Sequence, residues 1–253
     1  MMPEIVLSAG KVADERGRQV TIAEQKRRAA EAALKHVTDG MTLGVGTGST
    51  VDIFIDLLAE KVAAEKLSIR TLSSSYGTSH RLRAAGLAVD CLGSVATVSL
   101  TVDGADEVDP QLVLIKGGGG AFLREKILAE AAEQLVIIVD QSKLVKQLGT
   151  KSPVPVEVLP VALASATLRI NQLGGSPMLR QGEGKAGPVI TDNGNFVLDV
   201  KFPKIGDPAD LDLRLKAIPG VLETGLFPDQ ANIVYVGSER GVTRLARQSE
   251  TRK

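Results

Sequence analysis

Imidazole and thiol are nearly absent from this chain. Cys91 is its only cysteine, and His36 and His80 are its only histidines. An intramolecular disulfide is therefore excluded, and a zinc or iron site built on thiolate and imidazole runs short of ligands. Charge imbalance is missing too. Thirty Lys and Arg residues face 30 Asp and Glu, which leaves no net field to gather nucleic acid or an anionic membrane. No apolar run approaches the roughly 18–20 residues that span a bilayer. Met1 to Val20 carries no apolar signal block, and Glu4, Asp14 and Glu15 argue against a transit peptide. Internal repeats and low-complexity tracts are also lacking. Together these absences point to a cytoplasmic protein that takes a small soluble ligand, with no nucleic-acid or membrane partner. At 253 residues the chain has core enough for one large domain or two small ones.

What is present is an alternation of helical and strand patterns. Thr21-Ile22-Ala23-Glu24 forms a capping box that opens an alanine-rich helix to about Val37, with Gly40 as its stop. Met41–Val45 reads as a buried strand, followed by a glycine loop and a helix from about Thr50. Ile69–Ser73 is a further strand, followed by a helix ending near Gly86. Ser99–Val102, Leu112–Ile115 and Leu135–Val139 are apolar segments bounded by Gly, Pro or Asp. This order predicts an α/β fold with a doubly wound, mostly parallel, Rossmann-like sheet.

Beyond Lys151 the pattern changes, and Pro153, Pro155 and Pro160 mark a boundary. A strand (Val156–Leu159), a helix (Val161–Leu173), two strands around the Thr191-Asp192-Asn193-Gly194 turn, a helix (Ala209–Lys216) and a strand (Val221–Phe227) follow. That β-α-β-β-α-β order fits a second, smaller, ferredoxin-like α+β domain. Asn232–Gly237 is a last strand that returns to the first sheet. The expected division is a catalytic domain of residues 21–149 plus 228–253, a smaller domain of 150–227, and a disordered extension over 1–20.

Four segments carry chemistry. Gly44-Val45-Gly46-Thr47-Gly48-Ser49-Thr50 joins a strand to a helix, where amides and hydroxyls can hold phosphate. The same segment also reads as a plain tight turn. As a dinucleotide fingerprint it lacks the third glycine and the later acidic residue. Thr101-Val102-Asp103-Gly104-Ala105-Asp106-Glu107-Val108-Asp109 gathers four carboxylates at a strand end; a solvated acidic loop and a magnesium site through Asp103 and Asp106 are its other readings. Lys116-Gly117-Gly118-Gly119-Gly120 precedes a helix carrying Glu125. Four glycines in ordered structure cost about 0.5–1 kcal/mol each relative to alanine, which a fold bears where backbone must lie against a ligand. Val139-Asp140-Gln141-Ser142-Lys143 sets an ammonium at the same sheet edge.

Taken in order, these runs resemble the A-type ribose-5-phosphate isomerases. The likeness rests on Gly-Thr-Gly-Ser-Thr (46–50), Asp-Gly-Ala-Asp-Glu (103–107), Lys-Gly-Gly-Gly-Gly-Ala (116–121), Arg-Glu-Lys (124–126) and Asp-x-Ser-Lys (140–143). Pro155-Val156-Glu157-Val158, Thr191 to Asn195 and Pro219-Gly220-Val221 continue it, over about Thr21 to Arg244. Two departures are the extension over residues 1–20 and Tyr76, which stands where a small or acidic residue is familiar.

The resemblance implies interconversion of ribose 5-phosphate and ribulose 5-phosphate, a step of the non-oxidative pentose phosphate pathway, with no metal and no cofactor. It implies Glu125 as the base, assisted by Asp103, Asp106 and Lys116. Substrate contacts would come from Thr47, Gly48, Ser49, Thr50, Asp103, Gly104, Ala105, Asp106, Lys116, Gly117, Gly118, Gly119, Lys143 and Lys26. The base would move a proton between C1 and C2 while amides of Gly117 to Gly120 and Lys116 stabilise a cis-enediolate. Asp103 and Asp106 would handle hydroxyl protons. Phosphate falls to Thr47, Ser49 and Thr50, or to the Lys116 loop. Two rivals are a coenzyme A transferase, whose glutamate attacks as a nucleophile, and a non-catalytic sugar-phosphate sensor. A Leu/Val-rich second module suggests a homodimer or homotetramer.

Overall fold

Thr21 caps the first helix as its sequence suggests: its hydroxyl accepts the Glu24 N–H, and the Glu24 carboxylate accepts the Thr21 N–H at 2.7 Å. The computed structural model describes residues 20–184 and 186–247. The extension expected over residues 1–20 lies outside that range, apart from Val20. Helix α1 (Ile22–Leu34) buries Ala29, Ala30 and Ala33. Then come β1 (Thr42–Val45), α2 (Ser49–Glu65), β2 (Arg70–Ser73), α3 (Tyr76–Ala84), β3 (Val89–Asp90), β4 (Leu100–Asp103), β5 (Glu107–Val108) and β6 (Leu114–Ile115). Next are α4 (Phe122–Ala131), β7 (Leu135–Asp140), β8 (Val154–Val158), α5 (Leu163–Gln172), β9 (Ser176–Leu179) and β10 (Phe196–Lys201). The last elements are α6 (Pro208–Lys216), β11 (Val221–Thr224), β12 (Leu226–Phe227), β13 (Ile233–Ser238) and β14 (Gly241–Ala246).

Seven strands form the main sheet in the order β14-β13-β7-β4-β1-β2-β3. Every pairing is parallel except β13 with β14. All six residues of β7 and all four of β4 are buried, as expected where both faces of a parallel sheet are covered. From β1 the chain runs outward to β2 and β3, while β4, β7 and β13 lie on its other side. The order therefore reverses between β1 and β4, and the crevice outside their carboxyl ends is where such sheets hold ligands.

The second sheet, β11-β8-β10-β9, is antiparallel throughout. With α5 and α6 it realises the β-α-β-β-α-β order read from the sequence. Its core is Val156, Val158, Ala166, Ile170, Leu198, Val200 and Leu215. The segment entering it is pinned by the buried Glu107, whose carboxylate accepts N–H groups of Gly149, Lys151 and Ser152 at 2.5–2.7 Å.

Several boundaries differ from expectation, each for a local reason. Leu112–Ile115 does not join the parallel sheet. No helix separates it from β4, so no crossover is available; it becomes β6 in a third sheet, β12-β6-β5. The Asn193-Gly194 turn forms, with Gly194 at φ +82°, but only an Ile190–Phe196 bridge extends it. The strand that pairs with β10 is β9, farther back. Val221–Phe227 splits at Gly225 into β11 and β12, which serve different sheets. Strand β8 starts at Val154 and keeps Pro155 within it. Strand β14 was not anticipated.

Candidate active site

The carboxyl ends of β1 and β4 approach so closely that only glycine fits at position 46. A Cβ there would lie 1.8 Å from Asp103 Oδ1, and the Gly46 N–H donates to Val102 O at 2.9 Å. This contact sets Thr47–Thr50 and Asp103–Asp106 side by side. The β5–β6 hairpin then folds the Lys116 loop over them, and α4 carries Glu125 in behind it. The resulting cleft is lined by Lys26, Thr47, Gly48, Ser49, Thr50, Gly104, Ala105, Asp106, Lys116, Gly117, Gly118, Gly119, Glu125 and Lys143. The structure thus brings to one wall every residue expected to touch a ligand except Asp103, which sits behind Lys116.

Three buried charges form the floor. Lys116 Nζ lies 3.0 Å from Asp103 Oδ2 and 3.0 Å from Glu125 Oε2, and donates to Gly104 O at 2.7 Å. Asp103 Oδ1 accepts the N–H groups of Gly104 at 2.7 Å and Thr47 at 3.2 Å. Among the described residues, Glu125 Oε2 meets the ammonium without hydrogen-bond geometry and finds no other partner.

Burial pushes the Glu125 carboxyl up to about 8; the Asp103 charge adds to the rise, and Lys116 opposes it. Asp103 is likewise raised, by burial above all, against the pull of Lys116 and the two amides. Burial alone would lower Lys116, yet its two carboxylates outweigh that and raise it, keeping it an ammonium. The floor therefore holds a fixed cation beside a carboxyl that titrates near neutrality, the property required of a general base.

The two ends of the cleft differ. At one, α2 begins on Gly48 (φ +139°) with no side-chain cap, so the helix start faces the cleft with Ser49 and Thr50. Lys26 reaches over from α1 and donates to Ser49 Oγ at 2.8 Å. A helix N-terminus with an adjacent ammonium suits an anion. Lys143 stands in a single turn capped by Asp140, whose carboxylate accepts the Ser142 N–H at 2.9 Å. At the other end the glycine loop turns tightly, with Gly120 N–H to Gly117 O at 3.0 Å. Gly118 N–H donates to Asp106 Oδ2 at 2.8 Å.

Some participants escaped the sequence reading. The Thr47 hydroxyl points away from the cleft into a hydroxyl cluster with Ser74, Ser75 and Thr78, at 2.8–3.0 Å. The serine run closing β2 was the signal for it. Phe227 lies under Lys116, 5.5 Å from Nζ to ring centroid, and Arg180 hydrogen-bonds the glycine-loop carbonyls; neither carried a motif. Tyr76 is exposed, stacks under the Arg124 guanidinium at 4.7 Å, and its N–H donates to Asp192 at 2.7 Å.

Comparison with known proteins agrees with this geometry. Residues 70–241 match the family profile of ribose 5-phosphate isomerase A (phosphoriboisomerase A). The chain is 44% identical over 229 residues to ribose-5-phosphate isomerase A of Pyrococcus abyssi, covering 90% of this chain and all of that one. It is 46% identical to that of Thermosynechococcus vestitus, covering 85% and 92%. Among solved structures, the Methanocaldococcus jannaschii enzyme superposes with a TM-score of 0.86 at 40% identity, over 90% of this chain and 100% of that one. A D-ribose-5-phosphate isomerase in complex with phospho-erythronic acid gives 0.88 at 44%, with the same coverage. The chain belongs to the ribose 5-phosphate isomerase A family.

Proposed function

We propose, with that family membership as premise, that this protein interconverts D-ribose 5-phosphate and D-ribulose 5-phosphate, with Glu125 as the proton shuttle. The observation that carries the assignment is the Glu125 carboxyl, buried against Lys116 at 3.0 Å yet opening on the cleft. The cleft is open to solvent, and its lining of amides, hydroxyls, lysines and carboxylates suits an open-chain pentose phosphate. Phosphate is assigned to the start of α2 with Ser49, Thr50 and Lys26. The reacting carbons then lie over Glu125.

From the aldose, Glu125 takes the proton from C2 and returns it to C1, while the hydroxyl proton on O2 passes to O1. Between the two transfers the sugar is a cis-enediolate. Its negative oxygen needs preorganised donors, supplied by the glycine-loop amides and Lys116. Asp106, on the wall, is placed for hydroxyl protons and ring opening. Asp103 acts from behind, fixing Lys116 and raising Glu125. The relative's phospho-erythronic acid pairs a phosphate with a planar carboxylate, which resembles the enediolate in shape and charge. Neither the acyl-transfer nor the sensor reading gains from the family match.

We further assign residues 21–149 with 228–253, of which 248–253 lie outside the described residues, to a catalytic domain and 150–227 to a smaller one, in a cytoplasmic homodimer or homotetramer. Val161, Leu168, Met178 and Leu213 are exposed on the smaller unit and would be covered by such association. The deciding experiment is a coupled assay with ribose 5-phosphate and ribose, with inorganic phosphate as inhibitor. Turnover of the phosphorylated sugar, strong discrimination against ribose and competition by phosphate are expected. No conversion by folded protein overturns the function. Equal efficiency on both sugars overturns the phosphate assignment.

A further inference from the structure

Arg180 follows β9 in the four-stranded sheet and does not line the cleft, yet its side chain is committed toward it. Its backbone is fixed on both sides: its N–H donates to Val197 O at 2.9 Å and its carbonyl accepts the Val189 N–H at 2.9 Å. Two guanidinium nitrogens hold Asp199 of β10 in a fork, Nε to Oδ2 at 2.8 Å and Nη2 to Oδ1 at 2.5 Å. The remaining nitrogen, Nη1, donates to Gly117 O at 2.8 Å and Gly118 O at 3.2 Å. A bidentate carboxylate fixes a guanidinium in plane and orientation. The donor offered to the glycine loop is therefore rigid.

The consequence follows from peptide geometry. In a trans peptide the carbonyl and the next N–H point in opposite directions. Pulling the Gly117 and Gly118 oxygens toward Arg180 turns the N–H groups of Gly118 and Gly119 the other way. Gly118 N–H meets Asp106 of the cleft wall, and Gly119 N–H belongs to a residue that lines the cleft. A run of glycines has no side chains to hold these planes and would otherwise sample many orientations. The cation also polarises the peptide units it binds, making their N–H groups better donors.

We propose that Arg180, locked by Asp199, is a positioning residue for the reaction: it aims the Gly119 N–H at the oxygen that becomes negative in the enediolate and holds the Gly118 N–H on Asp106. The small sheet thereby acts on chemistry from behind the loop. This inference rests on the isomerase reading, whose own assay on the unaltered protein must succeed first. An interaction realised mainly with the charged intermediate should appear in turnover rather than in ground-state affinity.

The test compares Arg180→Met, Arg180→Lys and Asp199→Asn with the unaltered protein, in steady-state kinetics and in binding of two probes. The probes are inorganic phosphate and a phosphorylated four-carbon hydroxamate that mimics the enediolate. For Arg180→Met, kcat should fall by about 10²-fold, the effect of one displaced oxyanion donor. KM and the phosphate inhibition constant should stay within about threefold, while hydroxamate affinity falls in step with kcat. Arg180→Lys should recover part of the loss, and Asp199→Asn should show the same split at smaller amplitude. Unchanged kcat, or equal weakening of phosphate and hydroxamate, overturns the proposal. If Arg180→Met does not fold, the other two variants decide by the same criteria.

Discussion

Two buried lysines approach the ring of Phe227, and they behave as opposites. Lys116 stands 5.5 Å and Lys126 4.9 Å from its centroid. Lys126 bonds Glu223 at 2.7 Å and approaches Asp212 at 3.4 Å, and Lys216 joins the same two carboxylates at 3.7 and 3.1 Å. Thr224 completes the set, its hydroxyl donating to Asp212 and its N–H to Glu223. Charge there is balanced, two against two. At Lys116 one ammonium serves two carboxylates, and among the described residues Glu125 Oε2 has no partner in hydrogen-bond geometry. A buried ion cluster that is neutral holds structure together; one left a charge short keeps a group ready to exchange a proton.

The strongest way to break this contrast is Glu125→Gln. The change keeps shape and removes the base, so kcat should drop by about 10²–10⁴ with an unaltered circular dichroism spectrum. Solvent deuterium should no longer enter at C2. Persistent exchange in the folded variant would move the base elsewhere, Asp103 first.

In the second cluster, Lys126→Met leaves two buried carboxylates to the part-exposed ammonium of Lys216 and should cost about 1–3 kcal/mol of stability, read from urea unfolding. The kcat of the folded protein should hold within about tenfold. A collapse of kcat without loss of stability would erase the distinction between the clusters.

The pH dependence sharpens it further. Only the Glu125 carboxylate can accept a proton, and burial with the Asp103 charge holds its value near 8. kcat/KM should therefore climb about tenfold per pH unit below that value and level off above it. Asp103→Asn removes a negative neighbour and should move the limb to lower pH. The same raised value carries a stability sign. Glu125 favours the fold fully below its ordinary 4.5, and that contribution is lost as pH rises through about 8. Smallest of all should be the effect of EDTA, because Lys116 and amides occupy the role a cation would fill. Loss of activity restored by magnesium would make Asp103 and Asp106 ligands instead.

Much of the main sheet was legible because its strands are short apolar runs separated by glycine and helical stretches, as in Met41–Val45 and Leu135–Val139. The site was legible because its parts are contiguous in sequence: Asp103–Asp106, Lys116–Gly119 and Glu125 fall within one stretch. Sequence did not show that Asp103 sits behind Lys116, since periodicity does not say which of two adjacent carboxylates faces inward. The hairpin was misjudged because Asn193-Gly194 specifies a turn but not the length of its arms. Leu112–Ile115 looked like any other buried strand, and only the missing crossover excluded it from the parallel sheet. Arg180 and Phe227 had no local signal at all; their importance comes from a long-range approach of the second sheet.

One consequence of the strand order concerns the timing of synthesis. Of the described elements helix α1 leaves the ribosome first, yet part of the surface it packs on, β13, is made late. Arg28 on α1 donates to the carbonyls of Ser238 and Glu239 at the end of β13, and Gln25 lies so near Gly237 that a Cβ there would sit 1.8 Å from its carbonyl oxygen. Everything between Asp140 and Ile233, including the whole four-stranded sheet, must emerge before β13 can pair with β7. A nascent chain thus carries Lys26 on a helix that can pack on α2 and β7 but lacks its β13 contact until late in translation. Chains cut short before β13 would present that helix, and the open side of β7, to whatever binds exposed apolar surface in the cell.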